Sequence, residues 1–143
     1  MKIKDIMTSN LDFVSSDDTI RKAASEMERL NIGALPVKKD GKTAGIITDR
    51  DIVVRTIAKG FDPEQTRVTE AFTEGVISCN KDDDVQIAID LMEDKQIRRV
   101  LVTDTEGNVT GIVALGDIGV NMQKEMAGEV LQKVSEPSQP AAH

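Results

Sequence analysis

The sequence predicts a mixed α/β (α+β) fold of two pseudo-symmetric repeats, each a small mixed sheet with flanking helices, packed sheet to sheet. The first observation is an internal repeat, in which residues 17–37 align with residues 82–102 and, after a one-residue insertion, residues 41–52 align with 107–118. The second is that both copies show the same order of helix and strand patterns. The third is length, because 143 residues give two separate small domains too little core unless they share one.

In the first copy, a short extended piece precedes an amphipathic helix that starts near the capping candidates Asp17 and Asp18 and carries apolar residues at 3-4 spacing. We expect Gly33 to end this helix. Two strands, at 34–37 and 43–48, follow and are joined by a turn at Asp40-Gly41. A second helix is expected from Asp49 to about Ala58. The apolar positions of the first helix are Ile20, Ala23, Ala24, Met27 and Leu30.

The second copy repeats this order. It predicts a helix at 85–95, strands at 100–103 and 109–114 around a Glu106-Gly107 turn, and a helix after Leu115. We therefore divide the chain into three parts. These are residues 1–66 (first repeat and connector), residues 67–134 (second repeat with an extended C-terminal helix) and residues 135–143 (a disordered tail by composition).

The C-terminal helix carries an apolar stripe that needs a covering surface. The stripe could pack on its own repeat, or it could form a homodimer contact. The spacing alone leaves both interpretations open. The stripe consists of Ile118, Met122, Met126, Val130 and Val134.

Composition excludes several classes of function. A net charge of −7 and an aromatic content of three Phe, with no Trp or Tyr, argue against binding nucleic-acid polymers. No apolar run is long enough for a signal peptide or a membrane span, which predicts a cytoplasmic protein without a membrane partner. Cys79 is the one cysteine and His143 the one histidine. We expect no metal site, and we interpret Cys79 as inert.

The segment from residue 45 to residue 52, GIITDRDI, is the most informative motif. In one interpretation Thr48 is the N-cap and Asp51 completes a capping box. In the other, the strand-to-helix junction suits a phosphate, and the Asp51 carboxylate accepts the hydroxyls of a ribose. The second copy replaces the cap with Ala114 yet keeps the carboxylate as Asp117, which modestly favours the functional interpretation.

Together these residues resemble a known family. The pattern Gly-hydrophobic-x-Thr/Ser-x-x-Asp-hydrophobic, preceded by a strand like Ile-Gly-Ala-Leu-Pro-Val and present twice, is similar to the tandem cystathionine-beta-synthase (CBS) domain. The resemblance covers residues 4–125 and is to a stand-alone pair, or Bateman module, of the small bacterial type. It implies adenine-nucleotide binding in a cleft between the two copies, and a flat dimer of two modules.

The resemblance also implies the site residues. In a main cleft, Asp51 would hold the ribose and Thr48 the phosphate, with a strand of the other copy lining the adenine. In a second cleft, Ala114 departs from the family's Ser/Thr and weakens the expected phosphate contact. The main-cleft candidates are Ile46, Thr48, Arg50, Asp51, Val76, Ile77, Ile97, Arg98 and Arg99. The second-cleft candidates are Leu11, Asp12, Ile32, Gly33, Ala34, Ile112, Ala114 and Asp117.

The three arginines also have a plain interpretation as solvated surface, Arg50 with Asp49 as a possible partner. An arginine that reaches a phosphate, however, forms a charge-assisted, often bidentate pair. With so few aromatics, an adenine would lie between aliphatic side chains such as Ile46, Val76 and Ile97.

We therefore predict a non-catalytic regulatory or sensor module that binds AMP, ADP, ATP or S-adenosylmethionine, with no obligatory cofactor, and signals through dimer geometry to an unidentified protein effector. The alternative is a ligand-free homodimeric interaction or scaffold protein whose clefts have decayed, as Ala114 and the bulky Arg98-Arg99 pair suggest. An enzyme is the third and weakest hypothesis, because the sequence lacks the recognised catalytic motifs.

Overall fold

The structure, a computed structural model, describes residues 1–135 and the side chains of residues 1–128. The first half forms a four-stranded sheet with two helices. Its strands are β1 (Val14–Ser15), β2 (Ala34–Lys39), β3 (Lys42–Thr48) and β4 (Thr73–Glu74), and its helices are α1 (Ile20–Leu30) and α2 (Asp49–Arg55).

The second half repeats this arrangement with a three-stranded sheet. Its strands are β5 (Ser78–Asn80), β6 (Arg99–Thr103) and β7 (Val109–Ala114), and its helices are α3 (Val85–Lys95) and α4 (Leu115–Ser135). Short 3-10 helices lie at Ile3–Asp5, Ile57–Lys59 and Val68–Glu70. The mixed α/β fold of two repeats is confirmed.

The two sheets share one topology. β1 runs parallel to β2, which pairs antiparallel with β3, and β5, β6 and β7 do the same in the second half. The backbone contacts at the strand-to-helix junctions also match. The amide of Asp49 donates to the carbonyl of Gly33 at 2.9 Å, and the amide of Leu115 donates to the carbonyl of Arg98 at the same distance. The junctions that carry Asp51 and Asp117 are therefore built alike.

Each sheet is completed by a segment from elsewhere in the chain. β4 pairs with β3 through Gly45 and Ile46, and the amides of Thr8 and Ile112 each donate to the other residue's carbonyl beside β7. Glycine permits these approaches, since a Cβ on Gly45 would lie 2.1 Å from the Thr73 carbonyl oxygen. β4, which follows residue 66, completes the first sheet, and Thr8, which precedes it, pairs with the second sheet. The division at residue 66 therefore stays a prediction.

The core consists of one cluster in each half and a third cluster between them. α1 packs on the first sheet and α3 on the second, so that Ile20, Leu35, Val100 and Val113 are almost completely buried. The third cluster brings Ala34 of β2 together with Leu101 and Ile112 of the other sheet. This small shared core holds the two sheets against each other, and the clefts flank it.

Several local predictions need correction. The N-cap of α1 is Thr19, whose side chain accepts from the amide of Lys22, because the carboxylate of Asp18 instead accepts from the amide of Ser15. α1 ends at Leu30, and its C-cap is Asn31 in the left-handed conformation, so the helix stops before Gly33. α2 ends at Arg55, three residues earlier than expected.

One part of the apolar stripe of α4 packs on its own repeat, and another part is exposed. Ile118 is buried in the second core, whereas Met122 and Met126 are exposed. The side chains of Val130 and Val134 lie outside the described residues. The predicted disordered tail also lies outside them, apart from Ser135, which ends α4. Within residues 1–135, no helix combines the length and the apolar character needed to cross a membrane.

Candidate functional site

The larger of the two clefts lies between the halves and has a volume of about 490 Å³. We call it the main cleft. One wall comes from β3, the start of α2 and β4, and the other from the segment between α3 and β6. The predicted residues that line it are Ile46, Thr48, Arg50, Asp51, Ile77, Ile97, Arg98 and Arg99. Side chains from two distant parts of the sequence, residues 46–51 and 77–99, therefore meet in one cavity.

Thr48 and Asp51 form the predicted capping box at the start of α2. The Thr48 hydroxyl accepts from the Asp51 amide at 3.1 Å, and Asp51 Oδ2 accepts from the Thr48 amide at 3.0 Å. The other carboxylate oxygen, Oδ1, lies 3.7 Å from Nε of Arg55. Asp51 is only 8% exposed yet lines the cleft. Because a carboxylate accepts about four hydrogen bonds, capping leaves acceptor capacity for a ligand.

Arg50, Arg98 and Arg99 give the main cleft a positive charge. The same lining holds the carboxylates of Asp51 and Glu74, so it carries more cations than anions in a protein of net charge −7. Arg50 and Arg98 are exposed. Arg99 is more enclosed, and its Nη2 lies 3.6 Å from Oδ1 of Asp49. The arrangement suits a ligand that is anionic at one end.

Five residues of the main cleft were not predicted from the sequence. Two follow from the fold: Gln96 is the left-handed C-cap of α3, and Leu101 belongs to the shared core. The other three belong to β4 or follow it directly, and they reach the cleft because β4 packs closely on β3 at Gly45. The matched glycines Gly45 and Gly111 were the sequence signal for this close approach. Val76 lies outside this lining and is 49% exposed. The missed residues are Thr73, Glu74, Gly75, Gln96 and Leu101.

The second cleft is smaller, about 200 Å³, and lies at the pseudo-symmetric position. Asp117 lines it, but Ala114 supplies no hydroxyl cap. Where the main cleft has Arg98 and Arg99, the aligned residues of the second cleft are Gly33 and Ala34. The predicted residues that line it are Ile32, Gly33, Ala34, Ile112, Ala114 and Asp117.

Two predicted residues lie outside the second-cleft lining. Leu11 packs on the shared core, and Asp12 forms an ion pair with Arg29 on the surface. Three residues that sequence reasoning missed take their place, namely Thr8, Asn31 and Arg99. Arg99 was predicted for the main cleft only, and the folded structure places it in this lining as well.

Other chemistry is limited in the part of the chain that the structure describes. Burial raises the pKa of the Cys79 thiol to about 11, which keeps it protonated and unreactive near neutral pH. Among residues 1–128, no three side chains of the His, Cys, Asp or Glu type come together as a metal site. The Asp84 carboxylate caps α3 by accepting from the amide of Gln86. The clefts are therefore the features on which a functional proposal rests.

Comparison with known proteins is consistent with this geometry. The family model described as "CBS domain" matches the chain twice, at residues 3–56 and 68–118. The CBS domain-containing protein YhcV of Bacillus subtilis is 44% identical over 134 residues, which cover 93% of this chain and 94% of that protein. Hypoxic response protein 1 of Mycobacterium tuberculosis is 30% identical over 135 residues, 94% of each chain.

A solved structure with the same fold contains ligands. It is the CBS domain pair of protein MJ0100 in complex with 5-methylthioadenosine and S-adenosyl-L-methionine. It superposes with a TM-score of 0.75 at 29% identity, and the match covers 87% of this chain and 98% of that one.

Proposed function

This chain belongs to the CBS domain family, and on that premise we propose that it is a non-catalytic regulatory module that binds an adenine nucleotide in the main cleft. Domain pairs of this family are commonly regulatory and ligand-binding. The observation that carries the proposal is the position of Asp51, a nearly buried carboxylate that lines a cavity of about 490 Å³ together with three arginines.

The size and lining of the main cleft support a nucleoside with phosphate. Small-molecule sites have volumes of roughly 300–1,000 Å³ and combine apolar walls with a few polar groups. Ile46, Ile77, Ile97 and Leu101 supply apolar surface on both sides. The relative MJ0100 binds two adenosine compounds, which supports an adenine-containing ligand here as well.

Asp51 supports recognition of the ribose. Its Oδ2 already accepts the Thr48 amide, so Oδ1 and the remaining lone pairs would accept the ribose hydroxyls. Nε of Arg55 lies 3.7 Å from Oδ1 and forms an ion pair with the carboxylate. A charged acceptor in a mostly buried position forms stronger hydrogen bonds than a neutral one.

The arginines support recognition of phosphate. Arg98 and Arg99 stand on the wall opposite Asp51, and Arg50 follows Thr48 on the same side as Asp51. Their guanidinium groups can pair with phosphate oxygens in a bidentate manner. Such contacts, with a buried adenine, are consistent with micromolar affinity, about −8 kcal/mol.

The experiment is a calorimetric titration of nucleotide-stripped protein with AMP, ADP, ATP and S-adenosylmethionine. We expect at least one of them to bind with a micromolar Kd. Asp51→Asn should weaken that binding at least tenfold, because it removes the charge but keeps an oxygen that can cap α2. Asp94→Asn is the matched control, because this carboxylate is exposed and lines neither cleft, and it should leave the affinity unchanged. Binding of none of the four below millimolar concentration would contradict the proposal.

Absorbance gives an independent check before any titration. A chain without Trp or Tyr absorbs little near 280 nm, so a nucleotide that is retained through purification dominates the ultraviolet spectrum. Its identity can then be read by mass spectrometry after acid release.

Signalling is proposed to pass through a homodimer to a protein effector. The α2 helix exposes Val53 and Val54, and α4 exposes Val120, Met122 and Met126, although all are apolar. Burying such side chains against a second copy is favourable by the hydrophobic effect. Light scattering at micromolar concentration should give twice 15.6 kDa.

The alternative function is a ligand-free homodimeric scaffold. The second cleft supports this alternative. Where the main cleft has the Thr48 hydroxyl and the Arg98 guanidinium, the aligned residues of the second cleft are Ala114 and Gly33. A dimer that binds none of the nucleotides would support this alternative.

A further inference from the structure

Arg99 is the residue that the two clefts have in common. It lines the main cleft beside Arg98, and it also lines the second cleft beside Gly33 and Asp117. Within the part of the chain that the structure describes, no other side chain lines both clefts. One guanidinium group is therefore within reach of ligands in both clefts.

The position of Arg99 depends on a glycine in the other half. Arg99 begins β6, and its side chain extends to the start of β2, where a Cβ on Gly33 would lie only 3.0 Å from Nη2. The same Cβ would lie 2.8 Å from Oδ2 of Asp49. Gly33 thus leaves room for the ion pair between Arg99 and Asp49, which holds the guanidinium between the clefts.

The two clefts depend on Arg99 to different degrees. The main cleft has Arg50 and Arg98 as further cations. Among the described residues that line the second cleft, Arg99 is the one arginine or lysine, and Asp117 lines the same cleft. A phosphate in the second cleft would meet a net negative lining if Arg99 were engaged elsewhere.

We infer that Arg99 makes the two clefts antagonistic toward phosphorylated ligands, an inference that rests on the proposed function. When a phosphorylated nucleoside occupies the main cleft, its phosphate pairs with Arg99. The second cleft then loses its cation and accepts an uncharged nucleoside in preference to a nucleotide. Because coupling between sites is reciprocal, a phosphate in the second cleft weakens the main cleft by the same factor.

The test follows each cleft separately by the NMR signals of backbone amides during titration with AMP. Thr73, Glu74 and Gly75 report the main cleft, and Gly33 and Ala114 report the second. In Asp51→Ala, which empties the main cleft, the second cleft should bind AMP about tenfold more tightly than in wild type with its main cleft filled. Circular dichroism and the spread of amide signals check that each variant is folded.

Two arginine variants make the test specific. Adding Arg99→Gln to Asp51→Ala should remove the tenfold gain at the second cleft. Adding Arg98→Gln should retain it, because Arg98 lines only the main cleft. Adenosine, which has no phosphate, should bind the second cleft equally in all of these proteins.

The outcomes separate the inference from the proposed function. If wild-type protein binds no AMP, or Asp51→Ala still fills its main cleft, the proposed function or its site assignment is wrong and the inference falls with it. If AMP binds the main cleft but the second-cleft affinity is the same in wild type and Asp51→Ala, the inference alone is overturned. The inference is also overturned if the tenfold tighter AMP binding at the second cleft persists when Arg99→Gln is added to Asp51→Ala. It is likewise overturned if that tighter binding is lost when Arg98→Gln is added.

Discussion

Replacing Gly45 with alanine should destabilise the fold and damage the main cleft together. The added Cβ would lie 2.1 Å from the carbonyl oxygen of Thr73 and 3.1 Å from Cα of Glu74. An unstrained contact needs about 3.5 Å, so β4 would have to move by more than an ångström. The obstacle is backbone and cannot rotate away.

The cost follows from this geometry. Overpacking typically costs about 1–3 kcal/mol, and a backbone obstacle places Gly45→Ala near the upper end, about 3 kcal/mol. For a domain of this size each kcal/mol lowers Tm by about 2–4 °C, which gives a decrease of about 9 °C. β4 carries Thr73 and Glu74, which line the main cleft, so nucleotide affinity should fall although Gly45 itself does not line it.

Urea unfolding followed by circular dichroism measures the stability change at one fixed protein concentration. Gly119→Ala is the matched control, because a Cβ there meets nothing within 4 Å and lies inside α4. It should stabilise by about 0.5–1 kcal/mol through helix propensity. A Gly45→Ala protein as stable as wild type would refute the reasoning that this glycine permits the approach of β4.

Three further predictions concern single side chains. Thr56 is fully buried, and its hydroxyl has no hydrogen-bond partner among the described residues, so Thr56→Val should raise the free energy of unfolding by about 1 kcal/mol, and a decrease in urea midpoint would contradict this. Thr48→Ala should lower that free energy by about 1 kcal/mol through loss of the cap, whereas Thr48→Ser should retain most of it; equal midpoints for the two variants would argue against capping. Cys79, with a pKa of about 11, should react with a thiol reagent at pH 8 only after unfolding in urea, and rapid labelling of the native protein would show that the thiol is accessible.

Local patterns in the sequence were sufficient for most of the regular elements. The bounds of α3 and β7 match the prediction to the residue, because apolar spacing and turn residues act over a few positions. Capping was less predictable at α1. Asp18 and Thr19 both suit an N-cap, and the choice depends on a turn that the carboxylate of Asp18 stabilises through the Ser15 amide.

The candidate site was predictable where it repeats and not where the halves exchange segments. Thr48, Asp51 and Asp117 stand at matched positions, so the repeat itself identified them. Thr73 and Glu74 were missed because they join the main cleft through pairing with β3. Arg99 was assigned to one cleft only, since its reach to the second depends on the space above Gly33.

An AMP titration of nucleotide-stripped, isotope-labelled protein, followed by amide NMR, shows whether the main cleft binds an adenine nucleotide. We expect saturation in the micromolar range, with the first and largest shifts at the two walls of the main cleft, residues 48–51 and 96–99. We also expect that Asp51→Asn weakens this binding at least tenfold while Tm changes little. Shifts that saturate elsewhere on the surface, or none up to millimolar AMP, ADP, ATP and S-adenosylmethionine, would contradict the claim that the main cleft is an adenine-nucleotide site.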